Sequence, residues 1–160
     1  MNVRTLALFS LLVVSAAASH AQNRFTVSAD GQEVIDTTTQ LTWRRCPEGQ
    51  KWSGSTCTGK LLKLSYGGAK KEAAAAAKAD GKAWRVPTRT ELVALIDKGA
   101  TKKPKIDRTA FPATPTTPFW ASRPGTDDNL NAWLVSFGNG KVTGNAGQAK
   151  FALRLVRAGS

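Results

Sequence analysis

The first pattern along the chain is an apolar stretch near its start. Leu6 to Val14 is interrupted only by Ser10, Arg4 stands before it, and Ser19-His20-Ala21 follows with small residues at the two positions a signal peptidase inspects. This layout predicts a cleavable secretory signal over residues 1–21, cut before Gln22. The run falls well short of the ~20 apolar residues of a spanning helix, and no later stretch is long enough to span. No lipobox cysteine follows the apolar run, so a lipoprotein is not expected.

Beyond Gln22 the periodicity changes from segment to segment. Phe25 to Ala29 and Glu33 to Asp36 flank Asp30-Gly31, a dipeptide that suits a hairpin turn. Leu41 to Arg45 is β-prone. Ser65 can cap an Ala-rich helix from about Gly68 to Ala79, stopped by Gly81, with Lys70, Lys71 and Lys78 facing water. Thr88-Arg89-Thr90-Glu91 reads as a capping box, and Leu92, Leu95 and Ile96 continue at helical spacing until Gly99. Residues 99–118, rich in Lys, Pro and Thr, predict a long surface loop of the kind that often carries function. The last third returns to strands: Phe119 to Ser122, then Ala132 to Phe137 and Lys141 to Thr143 around a Gly138-Asn139-Gly140 turn. Phe151 to Arg157 closes the chain with Phe151, Leu153 and Leu155 alternating on one face. The expectation is a single α+β domain over residues 22–160, mostly antiparallel sheet with two helices and paired terminal strands.

Signal removal changes the chemical inventory. About 139 residues remain, enough for one domain with a core. The only histidine, His20, is lost, and the formal charge of +12 falls to +11 with the loss of Arg4. Cys46 and Cys57 enter an oxidising compartment, where a disulfide is the default state. They enclose a polar, Gly-containing loop with little intrinsic structure, and closing so short a ring is worth about 3 kcal/mol.

Several stretches together resemble the C-terminal domain of the Legionella collagen-like adhesin (Lcl) family. They are Leu41 to Cys46, Gly49 to Gly59, Trp84 to Thr88 with Glu91-Leu92, Phe111-Pro112, Phe119 to Ser122, Ala132 to Phe137, and Leu153 to Arg157. The resemblance spans about Val34 to Arg157. It implies a C-type-lectin-like fold with terminal strands paired and helices on the sheet. For the adhesin member it also implies trimerisation and binding of sulfated polysaccharides through basic surface. The last strand carries Leu155 where the family usually has Cys, and Leu fills the same buried volume. The sequence holds no collagen-like repeat, so the stalk that would support a trimer is missing.

Catalysis needs groups that attack or change protonation. Without histidine, and with both cysteines in an expected disulfide, catalytic triads and Cys/His zinc sites are closed. No cofactor is expected, and the chain is read as a non-enzyme. Asp127, Asp128, Asn129 and Asn131 offer oxygen ligands that suit Ca²⁺, but turns before strands favour the same residues for backbone reasons. Trp43, Trp84, Trp120 and Trp133 sit among apolar neighbours and are expected in the core. Trp52, inside the disulfide loop, is expected nearer the surface.

The feature that remains is positive charge. Lys98, Lys102, Lys103, Lys105 and Arg108 form the densest run, Arg44 and Arg45 abut the disulfide loop, and Arg123 follows the Trp120 strand. Such groups pair with sulfates and phosphates. The expected function is therefore an exported, periplasmic or extracellular module that binds an anionic polysaccharide or another polyanion. The alternative is a structural or protein-interaction domain of the envelope whose charge serves solubility. Export disfavours nucleic acid apart from extracellular DNA. The sequence leaves homo-oligomerisation open.

Overall fold

The computed structural model describes residues 23–122, 132–144 and 149–159. The expected signal segment lies outside the described residues. In chain order the elements are β1 (Phe25–Val27), β2 (Glu33–Asp36), β3 (Leu41–Arg44), β4 (Gln50–Trp52), β5 (Cys57–Gly59), α1 (Tyr66–Asp80), α2 (Arg89–Val93), β6 (Phe119–Ala121), β7 (Trp133–Val135), β8 (Val142–Gly144) and β9 (Val156–Ala158). They form an antiparallel sheet in the order β1-β2-β3-β9, a hairpin β4-β5, and a second antiparallel sheet β6-β7-β8. The α+β expectation holds. No described helix is long and apolar enough to cross a membrane.

Local signals explain the helices. The Ser65 hydroxyl accepts from the Gly68 N–H, and Gly81 at φ 65° terminates α1 in the left-handed region. The helix buries Tyr66, Ala69, Ala73 and Ala76, so small side chains let it lie close to its neighbours. At α2 both arms of the capping box form: the Thr88 hydroxyl accepts from Glu91 N–H, and Glu91 accepts from Thr88 N–H at 2.8 Å. The regular helix ends at Val93, and Leu95 and Ile96 complete the apolar run in tighter turns, donating to Leu92 and Val93.

Two apolar clusters fill the interior. One joins Val34 and Trp43 of the first sheet to Leu92, Leu95, Phe119, Val135 and Phe137. The other packs α1 against Trp84, Trp120, Leu134, Leu153 and Leu155. Trp43, Trp84 and Trp120 are buried as expected, whereas Trp133 is only half-buried.

Four expectations need correction. The Cys46–Cys57 disulfide forms, but its loop is not structureless: it contains the β4-β5 hairpin, with Trp52 opposite Cys57. The two chain ends share a sheet without pairing directly. Short connections join β1, β2 and β3 into a meander, leaving the free edge of β3 to receive β9, with Trp43 opposite Val156. The segment after Phe151 does not alternate. Ala152 to Val156 are all buried, because this stretch threads between the two sheets. Leu153 and Leu155 carbonyls accept from Glu48 and Arg44 N–H there. Finally, the 99–118 loop is not wholly superficial. Ile106, Ala110 and Phe111 plug the first cluster.

Arg154 lies within that threading segment and is fully buried. Its guanidinium donates to the Arg44 carbonyl at 2.8 Å, to the Arg45 carbonyl, and to Thr114 Oγ1 at 2.9 Å, between the rings of Phe111 and Phe119. Burial pulls its proton affinity down, yet a guanidinium stays charged in proteins. Nearby, Glu48 is buried with no ion pair among the described residues. Burial, chiefly, with Glu72 and Asp80 adding and Arg44 and Arg154 opposing, pushes its pKa up to about 7.

Candidate functional site

The 99–118 segment is held on the body of the domain by its backbone. Asp97 N–H donates to the Lys105 carbonyl at 3.1 Å, and Lys105 N–H donates to the Phe137 carbonyl at 2.7 Å. Asp97 Oδ1 accepts from Gly99 N–H, and Asp107 Oδ1 accepts from Thr109 and Ala110 N–H, so both acids shape turns. With Ile106 and Phe111 anchored inward, the polar positions between them face outward. Lys98, Lys102, Lys103 and Arg108 are exposed, and none has an ion-pair partner among the described residues. Lys105 is half-buried, and its Nζ reaches the Ala100 carbonyl at 3.3 Å.

The β7-β8 turn brings one further cation. A Cβ on Gly140 would lie 3.7 Å from Lys105 Cδ, which places the exposed Lys141 beside the loop. The sequence separates Lys141 from Lys105 by more than thirty positions, and the Lys105–Phe137 bond helps to hold the two segments side by side. Two clefts adjoin this face. One, of about 360 Å³, is lined by Lys102 and Arg108 together with Pro104 and Ile106. The other, of about 730 Å³, runs between β1 and the loop, with Phe25, Val27, Leu95 and Ile96 along it and Lys98 at its rim. Asp97 and Asp107 belong to both.

The remaining candidates are not brought here. Arg44 is ion-paired with Asp80 at 2.6 Å and lies 5.1 Å over the Trp84 ring. Arg45 is buried, stacked 3.6 Å over Trp52, and donates to the carbonyls of Ala110 and Thr109 at 3.2 Å each and of Gly31 at 3.4 Å. Nearness in sequence to the disulfide loop therefore does not make these two arginines part of a basic face. Their neighbours engage both guanidinium groups within the fold. Arg123 and the calcium candidates Asp127, Asp128, Asn129 and Asn131 lie outside the described residues.

A division of labour emerges between the two cations. Among the described arginines, Arg24, Arg85 and Arg157 pair with Asp36, Glu91 and Glu33, and Arg89 stacks 4.7 Å from Trp133. Arg44, Arg45 and Arg154 are engaged as above, which leaves Arg108 as the exception. Burial works against the charge on Glu33, Asp36 and Glu91, but their cationic partners outweigh it and hold each carboxyl below its usual range. Most described acids are thus neutralised within the fold or hold turns, and the excess charge reaches solvent mainly on lysines.

Fold and face define a small, disulfide-stapled α+β domain with a lysine-rich loop whose two acids, Asp97 and Asp107, hold its turns. A family model for the Lcl C-terminal domain matches residues 32–157, and the chain belongs to that family, one of adhesin-type surface or secreted domains. No curated protein and no solved structure matches the chain.

Proposed function

We propose that the mature chain is an exported, non-catalytic binding module that holds anionic, sulfated glycans on the face formed by Lys98, Lys102, Lys103, Arg108 and Lys141. The observation that carries this is the asymmetry of pairing. Most described acids are ion-paired or hold turns, while Lys98, Lys102, Lys103, Arg108 and Lys141 are exposed with no ion-pair partner among the described residues. Unpaired lysines on a rigidly anchored loop attract polyanions at long range and exchange small counterions for sulfate groups on contact. The anchoring matters because a loop already fixed by Ile106, Phe111 and the Lys105–Phe137 bond loses little entropy on binding.

The non-catalytic part rests on chemistry. The mature chain lacks histidine, both cysteines are in the disulfide, and the one described carboxyl with a pKa near neutrality, Glu48, is buried in the core. The C-type-lectin-like assignment is part of the same proposal. It is supported by the return of β9 to the sheet that β1 begins. Export is supported by residues 1–21 and by the disulfide.

The test is elution from immobilised heparin in a salt gradient. The disulfide-bonded protein is expected to be retained and to elute earlier when Lys98, Lys102 and Lys103 are changed to Glu. The same three charge reversals at Lys71, Lys78 and Lys150 should have a smaller effect. Equal shifts for both triple variants would show diffuse charge and overturn the localised site. Absence of retention in dilute buffer, with a stoichiometric protein partner co-purifying, would favour an envelope interaction domain instead.

A further inference from the structure

A third cleft, on a different part of the surface, has different chemistry. It lies between the β1-β2 turn, the β4-β5 hairpin and the end of α1, and measures about 460 Å³. Its three carboxylates, Asp30, Glu33 and Asp80, are matched by three cations, Arg44, Lys51 and Lys82, so its formal charge is zero. Trp52 also lines it.

Trp52 is held unusually firmly for a half-exposed aromatic. The Arg45 guanidinium covers one face of the ring at 3.6 Å. Gly31 meets the Cδ1–Nε1 edge so closely that a Cβ there would lie 2.5 Å from Cδ1. Trp52 also sits opposite Cys57 in the hairpin that the disulfide closes. Gln32 ties the wall to this floor by donating from Nε2 to the Trp52 carbonyl at 3.5 Å.

Hydrogen-bonding capacity is left over around the ring. Asp30 uses Oδ1 for Ser28 and Gln32 N–H, and Asp80 uses Oδ2 for Arg44 and Trp84. Asp30 Oδ2, Asp80 Oδ1, Lys51 Nζ and Trp52 Nε1 have no partner among the described residues. A locked aromatic surface, ringed by acceptors and donors with no net charge, matches a ligand with an apolar C–H face and hydroxyl edges. An anionic ligand would meet three carboxylates here, and a cationic one would meet three cations.

We propose that this cleft binds a neutral saccharide, one ring stacked on Trp52 with its hydroxyls bonded to Asp30, Asp80, Gln32 and Lys51. The site is separate from the basic loop and does not depend on polyanion binding there. Cellotriose, maltotriose and chitotriose, each at millimolar concentration, can be titrated into the disulfide-bonded protein while recording amide and indole N–H resonances. A saturable shift of the Trp52 indole N–H with at least one sugar is expected, unchanged in high salt. Lys51→Ala and Gln32→Ala should each weaken it by roughly three- to tenfold, and Trp52→Ala should abolish the accompanying shifts of the amides that line the cleft. The Lys102→Glu, Lys103→Glu pair should leave it unaltered. The two milder variants keep the test decisive if Trp52→Ala does not fold. Failure of all three sugars to give a saturable shift, or shifts confined to residues 98–108, would overturn the proposal, whatever the outcome on heparin.

Discussion

Replacing Glu48 by Gln isolates one buried charge. The carboxyl is 8% exposed, and its pKa is pushed up from 4.5 to about 7. In the unfolded chain the group ionises near its ordinary value, so above that pH folding must either retain a proton or bury a charge. A folded pKa raised in this way favours the folded state least at high pH. The penalty grows as pH rises from about 4.5 and is complete above about 7. At 1.36 kcal/mol for each factor of ten in proton affinity, full ionisation weakens the fold by about 3 kcal/mol. Most of this, about 2–3 kcal/mol, falls between pH 5 and pH 8. The acids with lowered pKa, Asp30, Glu33, Asp36 and Glu91, titrate below this window and add little slope to it. Urea unfolding of wild type and Glu48→Gln at pH 5, 6, 7 and 8 measures the effect. The variant is expected to match wild type within about 1 kcal/mol at pH 5, then to exceed it progressively as pH rises. Parallel curves across the range would refute the assignment of an uncompensated buried carboxyl at this position.

Other consequences follow from the same architecture. Arg154→Met leaves the Arg44 and Arg45 carbonyls and Thr114 Oγ1 without their buried donor, and should destabilise the domain by about 3–5 kcal/mol in urea unfolding; a loss below about 1 kcal/mol would contradict the role assigned to it. Reducing the disulfide, or changing both Cys46 and Cys57 to Ser, should lower stability by about 3 kcal/mol, read as a fall in Tm. The same change should loosen Trp52, whose hairpin the bond closes, and red-shift its fluorescence.

What the sequence alone determined was governed by neighbours within a few residues. The Thr88–Glu91 capping box, the Ser65 and Gly81 caps, the Asp30-Gly31 turn, the β7-β8 hairpin and the Cys46–Cys57 bond all depend on short-range geometry, and each was legible. So was the dense cationic run from Lys98 to Arg108, because those residues lie close together along the chain. What only the tertiary structure decided was which charges face water. Arg45 and Arg154 look like surface residues until distant carbonyls are placed against them, and Glu48 looks like an ordinary loop acid until the 153–155 segment covers it. Lys141 joins the basic face, and Trp52 and Asp80 line one cleft, only because the fold brings remote segments together. The physical reason is that local backbone preference follows from a few adjacent side chains. The cost or gain of a charge is instead set by the solvent and partners left around it once the chain has closed.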